Sequence, residues 1–134
     1  MERRIINPGT WQDQFGFVQA VETRVASGPH RVLYCTGQTA TDATGAPAYP
    51  GDMAAQVRLA LDNLETLLTQ ADFTLADIVR LQIFTTDMEA FLAVFPVVKA
   101  RLDQAACRCA QTLIGVAHLA GPTLLVEIEA TAAQ

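Results

Sequence analysis

From residue 53 onward the apolar side chains fall into a helical rhythm: Met53, Val57, Ala60, Leu61, Leu64, Leu67 and Leu68 recur at intervals of three and four. That spacing lines one stripe of a helix, so the segment predicts an amphipathic helix laid against another layer. Asp52 stands where a carboxylate can accept hydrogen bonds from the free amides of the first turn, and the stripe dissolves at Ala71-Asp72-Phe73. Everything before the helix reads differently. RRIIN at 3–7, FVQAVETRV at 17–25 and RVLYCTGQTA at 31–40 are strand-like, and Ser27-Gly28-Pro29 between the last two predicts an antiparallel hairpin.

After the helix the two patterns recur. DIVRLQIFTT at 77–86 is rich in β-branched and large apolar residues and predicts a strand. Thr86-Asp87-Met88-Glu89 has the spacing of a capping box, and Phe91, Phe95, Val98 and Leu102 then share one helical stripe. Pro96 lacks the amide that would bond back to Leu92, which predicts a kink there or a fresh helical start just before it. QTLIGVAHL at 111–119 and LLVEIEATA at 124–132 read as two closing strands. Three strands, helix, strand, helix and two strands predict a single-domain α/β sandwich over residues 1–134, with both helices on one face of the sheet.

Composition bears on what covers the other face. The chain is 51% hydrophobic and only 17% charged, more apolar surface than one helical layer covers, so a second copy of the same sheet is the expected partner. A net charge of −5 and nine dispersed basic residues oppose binding to a phosphate backbone, so nucleic acid is not an expected partner. No stretch approaches the roughly 18 apolar residues that span a bilayer, so no membrane association is expected. Cys35, Cys107 and Cys109 cannot all pair with one another, which suits a reducing, cytoplasmic setting, and Cys107-x-Cys109 has no second Cys or His pair beside it to complete a zinc site.

The last strand carries the chain's most unusual pattern. By alternation Leu125, Glu127, Glu129 and Thr131 share one face, and Leu124, Val126, Ile128 and Ala130 the other. One face is core and the other holds two acids. Two solvated carboxylates on an open face is one reading; a catalytic carboxylate in a cleft is the other.

The Thr36-Gly37-Gln38 turn, the helix AAQVRLALDNLETLL, the strand DIVRLQIFTTDMEAF and the terminal VEIEATA together resemble the Rid family of reactive-intermediate deaminases, also called YjgF, across about the whole chain. The resemblance implies a chorismate-mutase-like mixed sheet with two helices packed on one face, assembled as a homotrimer with ligand sites in the clefts between subunits. It also implies hydrolysis of small imines and enamines to ketones and ammonia without a cofactor. The first carboxylate of V-E-I-E matches the family glutamate that positions or activates water, so the resemblance assigns that role to Glu127 and leaves Glu129 structural.

The departures from the family concern the ligand. Gln111 stands where family members acting on amino-acid-derived imines carry an arginine for the substrate carboxylate; an amide supplies no positive charge. Arg108 lies three residues too early to replace that arginine without a shift in strand register. Phe17 matches a family tyrosine and Leu113 a family cysteine, so the implied pocket is less polar and uncharged, with Phe17 and Leu113 as apolar walls and the Gly37 backbone and Gln111 orienting the ligand. The expected function is hydrolysis of an imine, enamine or related electrophile whose carboxylate is absent or held differently. The alternative is a non-catalytic trimer that binds a small metabolite or a protein.

Overall fold

The stripe that begins at Met53 forms helix α1, Met53–Gln70, in a computed structural model describing residues 2–15, 17–25 and 27–134. Asp52 caps it by accepting from the Ala55 amide at 3.0 Å, and the apolar stripe is buried along its length. Helix α2, Met88–Gln104, buries Phe91, Val98 and Leu102. Its cap is Asp87, whose carboxylate accepts from the Ala90 amide at 2.9 Å, in place of the predicted Thr86–Glu89 box. The Thr86 amide instead donates to the Leu125 carbonyl at 3.1 Å, which draws that residue toward the sheet. Pro96 starts no new helix: α2 runs through it, with Leu92 and Pro96 both exposed, so the carbonyl left without an amide partner is near water. Arg101 fastens α2 to α1 through Asp62, at 2.8 Å, and Glu65.

The strands are β1, Glu2–Ile6; β2, Ala20–Arg24; β3, Arg31–Cys35; β4, Gln38–Thr39; β5, Ile78–Thr85; β6, Ala110–Gly115; and β7, Val126–Ala133. They form one sheet in the order β1-β2-β3-β7-β5-β6, with the short β4 also paired to β7. The β2–β3 hairpin forms as predicted, and β5–β6 is the parallel pair in an otherwise antiparallel sheet. RVLYCTGQTA is two strands, not one, because the ladder breaks at Thr36-Gly37. The sixth strand ends at Gly115, short of the predicted Leu119. As an edge strand it has only β5 to pair with, and it stops where β5 stops, at the Thr85–Gly115 pair.

Alternation divides the sheet. Leu33, Leu81, Ile83, Val126, Ile128, Ala130 and Ala132 face the two helices and are buried. Among the described residues no element covers the other face, where Ile5 is 61% exposed and Tyr34 53%. Placing both helices on one side thus leaves a half-apolar sheet open on the side that carries the two acids.

Candidate functional site

β7 delivers its side chains alternately, and its neighbours fix what each acid meets. Glu127 is flanked by Phe84 of β5 and Thr39 of β4, whereas Glu129 lies opposite Gln82. Glu127 is partly buried, and its carboxylate folds over the backbone at Gly37, between β3 and β4, where pairing with β7 is interrupted. A Cβ built on Gly37 would sit 1.8 Å from Glu127 Oε1 and 2.6 Å from its Cδ. Only a residue without a side chain leaves room for this carboxylate, so Gly37 and Glu127 form one unit although they lie far apart in sequence.

Burial raises the Glu127 pKa above its ordinary value of 4.5, and the like charge of Glu129 raises it further. Hydrogen bonds to a carboxylate would act in the opposite direction, and none contributes here. The result is a carboxylate with free lone pairs and enhanced basicity, suited to accept a proton from water. The nearby thiol offers no competing nucleophile. Burial, with Glu129 adding to it, pushes Cys35 up to about 12, and burial pushes Cys107 up to about 11, so neither forms much thiolate near neutral pH.

The structure does not bring Gln111 or Leu113 to this unit within one subunit. In the parallel β5–β6 ladder Gln111 pairs with Leu81 and Leu113 with Ile83, and both β5 residues face the helices. Glu127 pairs with Phe84, on the opposite face. A sequence match fixes a residue's place along the strand; the side it faces depends on register with the neighbouring strand. Leu113 packs against the core, and Gln111 borders a depression of about 320 Å³ beside α2 together with Phe95, Lys99, Asp103 and Arg108. Arg108 precedes β6 and is therefore free of strand register, so it shares Gln111's surroundings after all.

Phe17 belongs to an aromatic group with Trp11 and Phe15, at ring-centroid distances of 5.7 and 6.4 Å. A larger cavity, about 380 Å³, lies between Trp11, the Thr41–Ala43 segment and α1, and its polar walls leave no signal in local sequence patterns. Glu127 lines neither of these two cavities; it lies on the sheet face turned away from the helices.

A family model described as endoribonuclease L-PSP matches residues 14–134. The chain belongs to this family. The mitochondrial protein mmf2 of Schizosaccharomyces pombe is 30% identical over 103 residues, covering 77% of this chain and 80% of that protein. Among solved structures, the Rid-family protein YyfB of Yersinia pestis, of unknown function, is 38% identical with a TM-score of 0.71, each chain covered in full. TdcF of Escherichia coli, solved with bound serine, is 27% identical with a TM-score of 0.77 and 98% of each chain covered. Two helices on one face of a mixed sheet is the chorismate-mutase-like fold of this family, as the terminal V-E-I-E and the Thr36-Gly37-Gln38 turn led us to expect. No helix is long and apolar enough to cross a membrane among the described residues.

Proposed function

We propose that the protein hydrolyses a small imine, enamine or related electrophile, in a cleft closed when copies of the chain assemble as a trimer on the open sheet face. The observation that carries this reading is the Glu127–Gly37 unit: a partly buried carboxylate, raised in pKa, held over a glycine and, among the described residues, without a donor that would spend its lone pairs. Water adds to the electrophilic carbon of the protonated imine as Glu127 accepts its proton, giving a carbinolamine. Glu127 returns that proton to the nitrogen, the C–N bond breaks as ammonia leaves, and the carboxylate takes the hydroxyl proton as the carbonyl forms, passing it to the departing ammonia as ammonium. No step draws on a cofactor.

Because Gln111 and Leu113 face α2 in their own subunit, their contribution to ligand binding in this reading comes from the β6 edge of a neighbouring copy. Arg108 travels with them and supplies the positive charge that Gln111 lacks. The Gly37 backbone and Phe17 complete the ligand's surroundings. A serine-bound relative supports a small-molecule ligand for the fold. The family model's name carries a nuclease activity, but the net charge of −5 favours a small ligand over RNA. Three free cysteines, two of them buried, support a cytoplasmic setting.

The second reading, a trimer that binds a metabolite or protein without turnover, is favoured by the same separation of Gln111 from Glu127. Ammonia release from freshly generated imines, with and without carboxylates, separates the two. The enzyme reading expects release that drops roughly 100-fold in Glu127→Gln while light scattering still reports a trimer. Saturable binding with no release from any imine would leave the binding module, and degradation of RNA by the same preparation would replace both.

A further inference from the structure

We propose that the 380 Å³ cavity beside α1 is a second binding site, built for a small organic cation bearing a primary ammonium group. It lies on the flank of α1 that carries Asn63, Thr66 and Gln70, whereas Asp62 and Glu65 reach toward α2 from another flank. It is separate from Glu127. In β4 the side chain of Gln38 lines the cavity while the neighbouring Thr39 pairs across the ladder with Glu127.

The case rests on an account of where each amide's hydrogens go. Gln12 is fully buried and donates its Nε2 hydrogens to the Gly9 carbonyl at 2.9 Å and to Asp13, so its Oε1 receives the Gln19 Nε2 at 3.3 Å. That fixes the orientation of Gln19 and leaves its Oε1 without a donor among the described residues. Gln38 donates from Nε2 to the Thr36 carbonyl at 3.2 Å, and Asn63 donates from Nδ2 to the carbonyls of Thr39 and Thr41 at 3.0 Å each. In both, the side-chain oxygen is left over. Thr66 gives its hydroxyl hydrogen to the Asp62 carbonyl, and Asp42 takes its three donors on Oδ1, leaving Oδ2 unused.

These spare oxygens have somewhere to point. Glu22 Oε2 is the one partnerless side-chain atom sealed from solvent among the described residues, so the free oxygens of Gln19 and Gln38 reach accessible space. With the two residues only 6% and 8% exposed, that space is the cavity they line. The walls therefore offer acceptors from several directions and one carboxylate, with no basic side chain among the lining residues. A carboxylate or phosphate meets amide, hydroxyl and indole hydrogens there but no cation, and it faces the negative charge of Asp42, whereas an ammonium brings three donors and a positive charge to the spare oxygens. Trp11 lines the same cavity. Its indole is seated against Gly45, where φ is +83° and a Cβ would lie 2.5 Å from Trp11 Cδ2.

Trp11 is the only tryptophan in the chain, so the fluorescence of the intact protein reports on this cavity. Titration with n-butylammonium is expected to give a saturable change with a Kd on the order of 1 mM, and n-butanol and butyrate none. Asp42→Asn keeps an oxygen for the Thr44 and Ala46 amides and is expected to weaken binding roughly 5-fold. Leu59→Phe fills the cavity from a partly exposed helical position and is expected to abolish the response. Circular dichroism and cooperative unfolding check that both variants fold. No saturable response to the amine, an equal response to butanol, or full binding by folded Leu59→Phe would each overturn the assignment. The readout is binding alone, so it stands or falls separately from turnover at Glu127.

Discussion

Replacing Glu22 by Gln tests how far the open end of the sheet depends on one buried charge. Glu22 is fully buried on β2, and its Oε1 accepts from Arg31 Nε at 2.7 Å and from Arg24, while Arg4 stands 3.6 Å from Oε2. Arg31 in turn lies 4.5 Å above the Phe73 ring and donates to the Ala71 carbonyl, so the carboxylate anchors β2 and β3 to the end of α1. The Arg31 hydrogen bond does most to lower the Glu22 pKa, from 4.5 to about 2, against the opposing effect of burial. A drop of that size corresponds to roughly 3 kcal/mol at most, and solvent screening around the half-exposed Arg24 and Arg4 leaves roughly 2–3 kcal/mol. Because the folded state lowers this pKa, the stabilisation is complete above pH 4.5 and disappears as pH falls toward 2. Urea unfolding at fixed protein concentration is therefore expected to show Glu22→Gln less stable by about 2–3 kcal/mol at pH 7, with more than half of the deficit gone by pH 3. Equal stability at pH 7, or a deficit that does not shrink in acid, would refute this account of the cluster.

Other perturbations address the site and its frame. Gly37→Ala places a methyl group where Glu127 Oε1 lies; the flexible carboxylate can move aside, so the variant is expected to fold with less than about 1 kcal/mol lost but to lose at least roughly 10-fold in imine turnover, read by ammonia release. Glu129→Gln removes the charge that helps raise Glu127, so the acid limb of the kcat/KM–pH profile is expected to move to lower pH with little loss at its plateau. Since a raised carboxyl pKa costs stability once the group ionises, Glu127→Gln is expected to match or exceed the wild type in stability at pH 7 and to lose that advantage in acid. Gln56 is fully buried and joins three loop groups: it donates to the carbonyls of Tyr49 and Thr123 and accepts from the Leu125 amide. Gln56→Leu strands all three and is expected to cost at least about 3 kcal/mol in urea unfolding.

Elements whose pattern is local could be read from the sequence. The α1 stripe declared itself because seven apolar residues keep one period, and the shared face of Glu127 and Glu129 followed from strand alternation alone. The side on which Gln111 and Leu113 lie could not be read that way. It is set by how β6 pairs with β5 after the chain has passed through α2, a register written in long-range contacts. The cap of α2 shows the same limit over a shorter span: Thr86 and Asp87 are both good caps, and the distant Leu125 carbonyl decides between them by taking the Thr86 amide. The α1 cavity draws single polar residues from separated segments, so no window of sequence contains its pattern. The contact of Glu127 with Gly37 likewise exists only because β4 pairs with β7.

That pairing makes β7 the keystone of assembly in time as well as in space. β1, β2 and β3 form one antiparallel piece and β5 with β6 another, and nothing in the ladder joins the two until residues 126–133 insert between β3 and β5. Both halves can form early from the pairings they contain, but joining them requires closing the longest loops in the chain, the slow kind of step in folding. Glu127 rides on the strand that makes the junction. A partly folded chain therefore lacks the carboxylate's glycine seat as well as a continuous sheet, and the proposed catalytic unit comes into being in the same event that completes the fold.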